Sequence, residues 1–275
     1  MNRILFSFLA IALALAWPVS ATLLISPTKV TFDSDDKVVE VVLMNTSNKV
    51  NSYELGWEDK IASELGGYQK HKTQVSHEFS ASKMLRFSPR RVTLKPEEKQ
   101  VVRIMLRRPK DLAEGEYRSH MRFKAIPVAA EQAGSIESAG IKINFTTSFS
   151  IPVVVRQGKP EVSLSIEKTS VKVAQPNEVP QVIVSISNNS RYSARGDIVA
   201  TLEGKDGKPQ VIARLNDYSL YPELKKAQVK LAWVGTNNAL SDGKLTVSFD
   251  GIKEYQGTQF GTKTEQFSVR DVLMK

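Results

Sequence analysis

Apolar and polar residues alternate from 141 to 155. Ile141, Ile143, Phe145, Phe149, Ile151 and Val153 share one side, Lys142, Asn144, Thr146, Ser148 and Ser150 take the other, and only Thr147 interrupts the apolar row. Side chains of a strand repeat every two residues, so this pattern predicts a long strand with one apolar face. Ordinary strands run to about five or six residues. A strand of this length either spans a large sheet, its apolar row being a plain core ridge, or carries part of that row beyond its own core, where another protein can receive it. Phe149, Ile151 and Val153 read as the chain's own core.

Shorter runs rich in Val, Ile, Thr and Phe recur between turn signals, and no amphipathic helical stretch of useful length interrupts them. The expected strands of a first series cover 23–32, 38–44, 52–58, 101–106, 116–126 and 141–155. Those of a second cover 162–166, 179–186, 198–202, 229–234, 245–249 and 266–269. Each series approaches the roughly seven strands of an immunoglobulin-like sandwich. The fold class is therefore all-β, in two sandwich domains. The polar segment 156–160, with Gly158 and Pro160, suits a hinge between them. Residues 127–140 are small and turn-prone and read as a mobile connection, whereas 60–82 reads as either a hairpin or a loose loop.

The first residues change the picture. A basic start at Arg3, an apolar run over 4–17 and small residues up to Ala21 form a secretory signal peptide. The run falls short of the roughly 20 residues of a membrane span, so the expected mature chain is soluble. The expected division is 1–21 signal peptide, 22–157 first domain and 158–275 second domain. Cysteine is absent, so an exported chain must hold together by core packing alone. Removing Arg3 and no acid takes the formal charge from +9 to +8. The basic residues are scattered, which argues against nucleic acid as a partner, and favours anionic surfaces or carboxylates.

Several segments then match one family in order. Ser26 to Phe32 resembles its first strand, and Asn45-Thr46-Ser47 its turn after the second. The stretch 87–103 contains Pro89, Leu94 and Pro96 in the family's Pro-x-x-x-x-Leu-x-Pro spacing and ends on Arg103. Glu116 to Phe123, leading on to Pro127, is similar to the strand before the donor strand, and Phe149 to Arg156 to the donor strand's end. The chain thus resembles the PapD-like periplasmic chaperones of the chaperone–usher pathway; the match covers most of the first domain. The Gly-Glu-Tyr-Arg-Ser-His run at 115–120 is similar to the archaic or alternative branch.

The resemblance implies two immunoglobulin-like domains in an L-shaped arrangement, a periplasmic location, and pilin subunits and an outer-membrane usher as partners. It implies a chaperone that stabilises unfinished subunits by lending them a strand and delivers them for pilus assembly. No cofactor is implied. Strand addition, with main-chain bonds for affinity and alternate side chains for specificity, is the established mode for such complexes. Ile141, Ile143, Phe145 and Thr147 are the implied plugs. The three apolar ones contribute about 5 to 9 kcal/mol at roughly 1.5 to 3 kcal/mol each, before ordering costs. An unoccupied donor strand is also a sticky edge, which implies self-association of the free chain.

The family anchors the subunit's terminal carboxylate on basic residues between its domains. Conventional members carry an Arg on the first strand and a Lys near the end of the donor strand, where this chain has Lys29 and Pro152. Lys29 lacks the bidentate fork of an arginine, and Pro152 has no charge. Arg118 is therefore the expected anchor, with Lys29 and Arg122 next; Arg118, His120 and Arg122 share a strand face. Glu116 and Arg156 match an internal salt bridge of the family and read as structural.

Catalytic chemistry finds little here. The histidines are His71, His77 and His120, and no metal-binding His pair, nucleophile elbow or phosphate loop is present. The expectation is a binding protein, not an enzyme. The alternative is a secreted or periplasmic adhesin or carbohydrate-binding sandwich, with Trp57, Trp233 and Tyr255 as its aromatic platform. Asn45, Asn144 and Asn188 each begin a glycosylation-type triplet, a short pattern with a high chance rate.

Overall fold

The computed structural model describes residues 22–33, 35–65, 67–70, 77–127, 146–173, 179–236 and 240–274. The expected signal peptide (1–21), and Ile141, Ile143 and Phe145 of the expected lent strand, lie outside the described residues.

The first unit holds β1 (Leu23–Ser26), β2 (Val30–Phe32), β3 (Val38–Asn45), β4 (Asn51–Glu58), β5 (Lys60–Ala62), β6 (Tyr68–Lys70), β7 (Leu85–Ser88), β8 (Arg91–Leu94), β9 (Lys99–Leu106), β10 (Gly115–Ile126) and β11 (Ser148–Gln157). One layer has the order β1-β3-β9-β7 and the facing layer the order β2-β11-β10-β4-β8. Their inward residues, among them Phe32, Leu43, Tyr53, Ile104, Met121, Phe123, Val153 and Val155, close one core. The period-2 reading of β11 places Ile151 and Val153 in that core, with Phe149 packed against it. The strand begins at Ser148, and Thr147 sits just outside it, exposed, its carbonyl accepting from the Ala125 amide at 2.9 Å.

The second unit holds β12 (Leu164–Val173), β13 (Gln181–Asn188), β14 (Ala194–Gly204), β15 (Pro209–Leu220), β16 (Lys226–Trp233), β17 (Gly243–Gly251), β18 (Gln259–Phe267) and β19 (Leu273–Met274). They form one ribbon in the order β18-β17-β14-β15-β16-β13-β12-β19. It folds into two layers where β15 and β16 pair through only Ala213–Trp233 and Arg214–Ala232. Val182, Val184, Ile198, Ile212, Val247 and Phe249 fill the space between the layers. The fold class is all-β with two sandwich units.

Two sequence expectations need correction. The run 23–32 is not one strand: Ile25 pairs with β3 in one layer, whereas Val30 pairs with β11 in the other. Pro27 lacks the amide a continuous ladder needs, and the chain crosses between layers there. The aromatic platform also does not exist: Trp57 packs edge-on to Phe87 in the first unit, at 5.5 Å between ring centres, whereas Trp233 and Tyr255 pack against the second core.

The ambiguous tract 60–82 contains the β5–β6 hairpin, which reaches across to the second unit. Ala62 is buried within the second unit's core cluster, and the Glu64 carbonyl accepts from the Gln228 amide at 2.8 Å.

Candidate functional site

β10 explains how the site is placed. Its odd positions Tyr117, Met121 and Phe123 face the first core, so Glu116, Arg118 and His120 must face the other way. That second face is buried too, because the hairpin and the second unit cover it; Glu116, Arg118 and His120 are 1%, 4% and 3% exposed. Beyond His120 the pairing with β4 ends, and the segment around Phe79 takes over, its carbonyl accepting from the Arg118 amide at 2.7 Å. Asp59 then ties this segment down by accepting from Ser80 at 2.6 Å and from Ser119 at 2.5 Å.

A cleft of about 230 Å³ opens between the units beside this face. Thr28, Lys29, Glu116, Arg118, Pro152 and Val154 line it from the first unit, and Ser193, Arg195, Ser219 and Tyr221 from the second. Lys29, Arg118 and Arg195 thus bring three cations to one small space. A larger cavity of about 570 Å³ lies between the layers of the first sandwich at its open side, over Leu55, Trp57, Leu85 and Phe87. Its arginines, Arg86 and Arg90, are exposed at the rim, so the smaller cleft is the better candidate for binding an anion.

Arg118 is the central residue. Its guanidinium carbon lies 3.4 Å from the centre of the Tyr221 ring and 5.4 Å from that of Tyr68, a cation stacked on aromatic faces. Nη2 donates to Glu223, and to the Lys60 carbonyl at 3.3 Å, while Nε and Nη1 have no hydrogen-bond partner among the described residues. Buried donors without protein partners are costly and rare, and leave capacity for an acceptor such as water or an anion. The Tyr68 and Tyr221 hydroxyls bond each other at 2.6 Å and close one side. Burial first, then the Arg118 and Lys60 charges, lower the pKa of His120 to about 3, so the ring is neutral at ordinary pH.

The other cations are already paired. Arg195 binds Asp217 through Nε at 2.5 Å and Nη2 at 2.8 Å, and those bonds, foremost, hold the Asp217 carboxyl below its usual range. Lys29 stands 3.6 Å from Glu254, which also accepts from Arg156 at 3.3 Å. Burial alone would raise the Glu254 carboxyl, but its backbone hydrogen bond, Lys29 and Arg156 together bring it below its usual range. Arg156 Nε also donates to Glu116 at 3.2 Å, so this pair and Glu254 form a strut across the junction.

Of the residues singled out from the sequence, Arg118, Lys29 and Glu116 line one cleft, and Arg156 is bonded to Glu116. Arg122 shares the strand face but leans over Gly56 of β4, outside the cleft lining. Sequence reasoning missed Tyr68, Arg195, Tyr221 and Glu223. One signal was available. Leu220-Tyr221-Pro222-Glu223-Leu224-Lys225 repeats the first unit's Leu94-Lys95-Pro96-Glu97-Glu98-Lys99 at four of six positions.

β11 leads to this cleft along a free edge. Among the described residues it pairs with β2 only from Val153 to Val155, so Ser148 to Pro152 have β10 on one side and no described strand on the other. Pro152, which has no N–H to offer a ladder, is tolerated there for that reason.

No family model matches the chain, and no curated protein matches it. Solved structures do. The chain is similar to the crystal structure of the YadV chaperone, at 14% identity and a TM-score of 0.49, over 90% of this chain and all of that one. It is similar to the CsuC–CsuE chaperone–tip subunit pre-assembly complex of archaic Csu pili from Acinetobacter baumannii, at 16% identity and 0.44, over 90% and 99%. It is also similar to the Salmonella enterica SafA pilin complex with the SafB chaperone, at 13% identity and 0.44, over 92% and 99%. What this chain is similar to, then, is a set of two-domain chaperones from the chaperone–usher pathway.

Proposed function

We propose that the mature chain is a periplasmic chaperone that holds pilin subunits by strand addition and passes them to an outer-membrane usher, without catalysis. The observation that carries this reading is Arg118: a buried guanidinium whose Nε and Nη1 have no partner among the described residues, at the point where the edge of β11 left open by the described strands enters the cleft. A strand laid along Ser148 to Pro152 is directed at a site chemically suited to a terminal carboxylate. Charge-assisted bonds of that kind fix register as well as adding affinity. Lys29 supports Arg118 from the cleft wall, and Arg122 has no part in the anchor. Glu116 and Arg156 hold the junction.

In this reading Ile141, Ile143, Phe145 and Thr147 enter the subunit's groove, and the two domains divide at Gln157 and Gly158. At Gly158 the backbone has φ of +80°, and an added Cβ would lie 2.9 Å from the Glu114 carboxyl, so glycine suits this link.

The test is periplasmic co-expression with pilin subunits encoded beside the chain, followed by affinity capture. The wild type is expected to return a one-to-one complex. The Ile143→Glu, Phe145→Glu double variant and Arg118→Gln, each shown folded by circular dichroism, are expected to return little. Equal capture by all three chains overturns the reading.

A further inference from the structure

We infer that Glu223 is a resident carboxylate: it occupies Arg118 while the cleft is empty of ligand, and the ligand's own terminal carboxylate takes its place. The inference rests on the preceding reading that Arg118 anchors a carboxylate.

The donor geometry of the guanidinium carries the argument. An arginine grips a carboxylate with two parallel bonds, through either Nη1 with Nη2 or Nε with Nη2. Nη2 belongs to both forks. In this structure both of its contacts are made, one to Glu223 and one to the Lys60 carbonyl, while Nε and Nη1 are buried and without a partner among the described residues. An arriving carboxylate gains one bond without disturbing anything. To gain two it must displace a partner of Nη2, and Glu223 is the partner that a second carboxylate replaces like for like.

Exchange preserves what a buried pair requires. The side chains of Arg118 and Glu223 are 4% and 9% exposed, so removing either charge alone would strand the other away from water. Swapping one carboxylate for another keeps the guanidinium neutralised throughout and lets Glu223 turn toward the cleft, where Lys29 and Arg195 stand. A neutral terminus offers no such exchange, so Glu223 also selects for charge.

The swap reaches beyond the cleft. Glu223 Oε1 accepts from the Ala62 amide at 3.2 Å, which makes this one oxygen a joint between β10, the hairpin and the second unit. Displacing it loosens the hairpin whose Tyr68 closes the side of the site. Ligand occupancy and the hold of the two units on each other are thereby opposed.

The test uses the mature chain and, as probe, a synthetic peptide copying the last strand of the subunit captured in the co-expression experiment, made with a free carboxylate and with an amide. Affinities are measured by calorimetry for the wild type, Glu223→Gln, Glu223→Asp and Arg118→Gln. The expected result is that Glu223→Gln binds the carboxylate peptide about tenfold more tightly than the wild type while its denaturation midpoint falls. Glu223→Asp, which keeps the charge but withdraws it, is expected to gain less and guards against a Gln variant that does not fold. Unchanged or weaker binding by both Glu223 variants, with Arg118→Gln still weak, overturns the resident carboxylate alone. Equal binding of both peptides by the wild type and by Arg118→Gln, or no peptide binding by any chain, overturns the anchor and this inference together.

Discussion

The two units carry a similar turn sequence, each next to a capping asparagine, and place it in opposite surroundings. In the first, Leu94-Lys95-Pro96-Glu97 is pinned by Asn45, fully buried, whose Nδ2 donates to the Leu94 carbonyl at 3.0 Å and whose Oδ1 accepts from the Ser47 amide at 3.1 Å. In the second, Leu220-Tyr221-Pro222-Glu223 is pinned by Asn188, whose Nδ2 donates to the Tyr221 carbonyl at 3.0 Å and whose Oδ1 accepts from the Ser190 amide at 2.9 Å. Glu97 stands in solvent with φ of +61°; Glu223 is buried against Arg118 of the other unit. The asparagine caps are alike but one residue out of step, and the two glutamates differ in backbone as well as in surroundings, since Glu223 is not among the positive-φ residues. Composition records the difference: Lys95 and Glu98 of the exposed turn become Tyr221 and Leu224 in the covered one.

The largest break in this comparison is expected from Arg118→Ala. It leaves Glu223 buried without its cation, a loss of about 3–5 kcal/mol, to be read from urea denaturation. Next, Asn45→Ala and Asn188→Ala each abandon buried carbonyl and amide partners, and each is expected to lose about 2–3 kcal/mol. Equal losses show that the two asparagine caps matter equally, and a loss confined to one unit separates them.

The covered turn should also be sensitive to acid. The pKa of His120, next to Arg118, is lowered to about 3 on folding, so between that value and about 6.5 the unfolded chain binds a proton that the folded chain refuses. Stability is therefore full above pH 6.5 and declines as pH falls, by about 2 kcal/mol between pH 7 and pH 5. His120→Gln is expected to flatten that part of the denaturation-midpoint profile; an unchanged slope assigns it to other groups. The smallest effect belongs to Glu97→Gln, within about 0.5 kcal/mol, as for an exposed surface position. Set against Arg118→Ala, it completes the contrast.

How much of this was legible depends on how far apart the partners are in the chain. Alternation placed β3, the described part of β11 and most strands of the second unit, because one face of each is buried and its period is local, whereas β10, buried on both faces, was found from its composition and the family-like run. It missed β15, where Arg214, Asn216 and Asp217 blur the pattern, and it ran β1 and β2 together across Pro27. Arg118 was legible through the family-like run around it. Glu223 was not, since a cation on one unit and an acid on the other, 105 positions apart, meet only when two sandwiches dock, and Arg195, paired with Asp217 of its own unit, joins the cleft only through the same docking. The hairpin at 60–70 shows the same limit, as its residues lack alternation and gain their burial from a unit still to be made.

Ala62 also bears on how the molecule comes into being. The chain is synthesised from its N-terminus, so the hairpin is complete before any strand of the second sandwich exists, and one methyl group of the later core is already waiting on the earlier unit. Residues 158–275 produced alone would lack it, along with the Glu64 carbonyl that receives the Gln228 amide. The first unit thus completes the second, and a cut within 156–160 would divide the sequence cleanly but not the core.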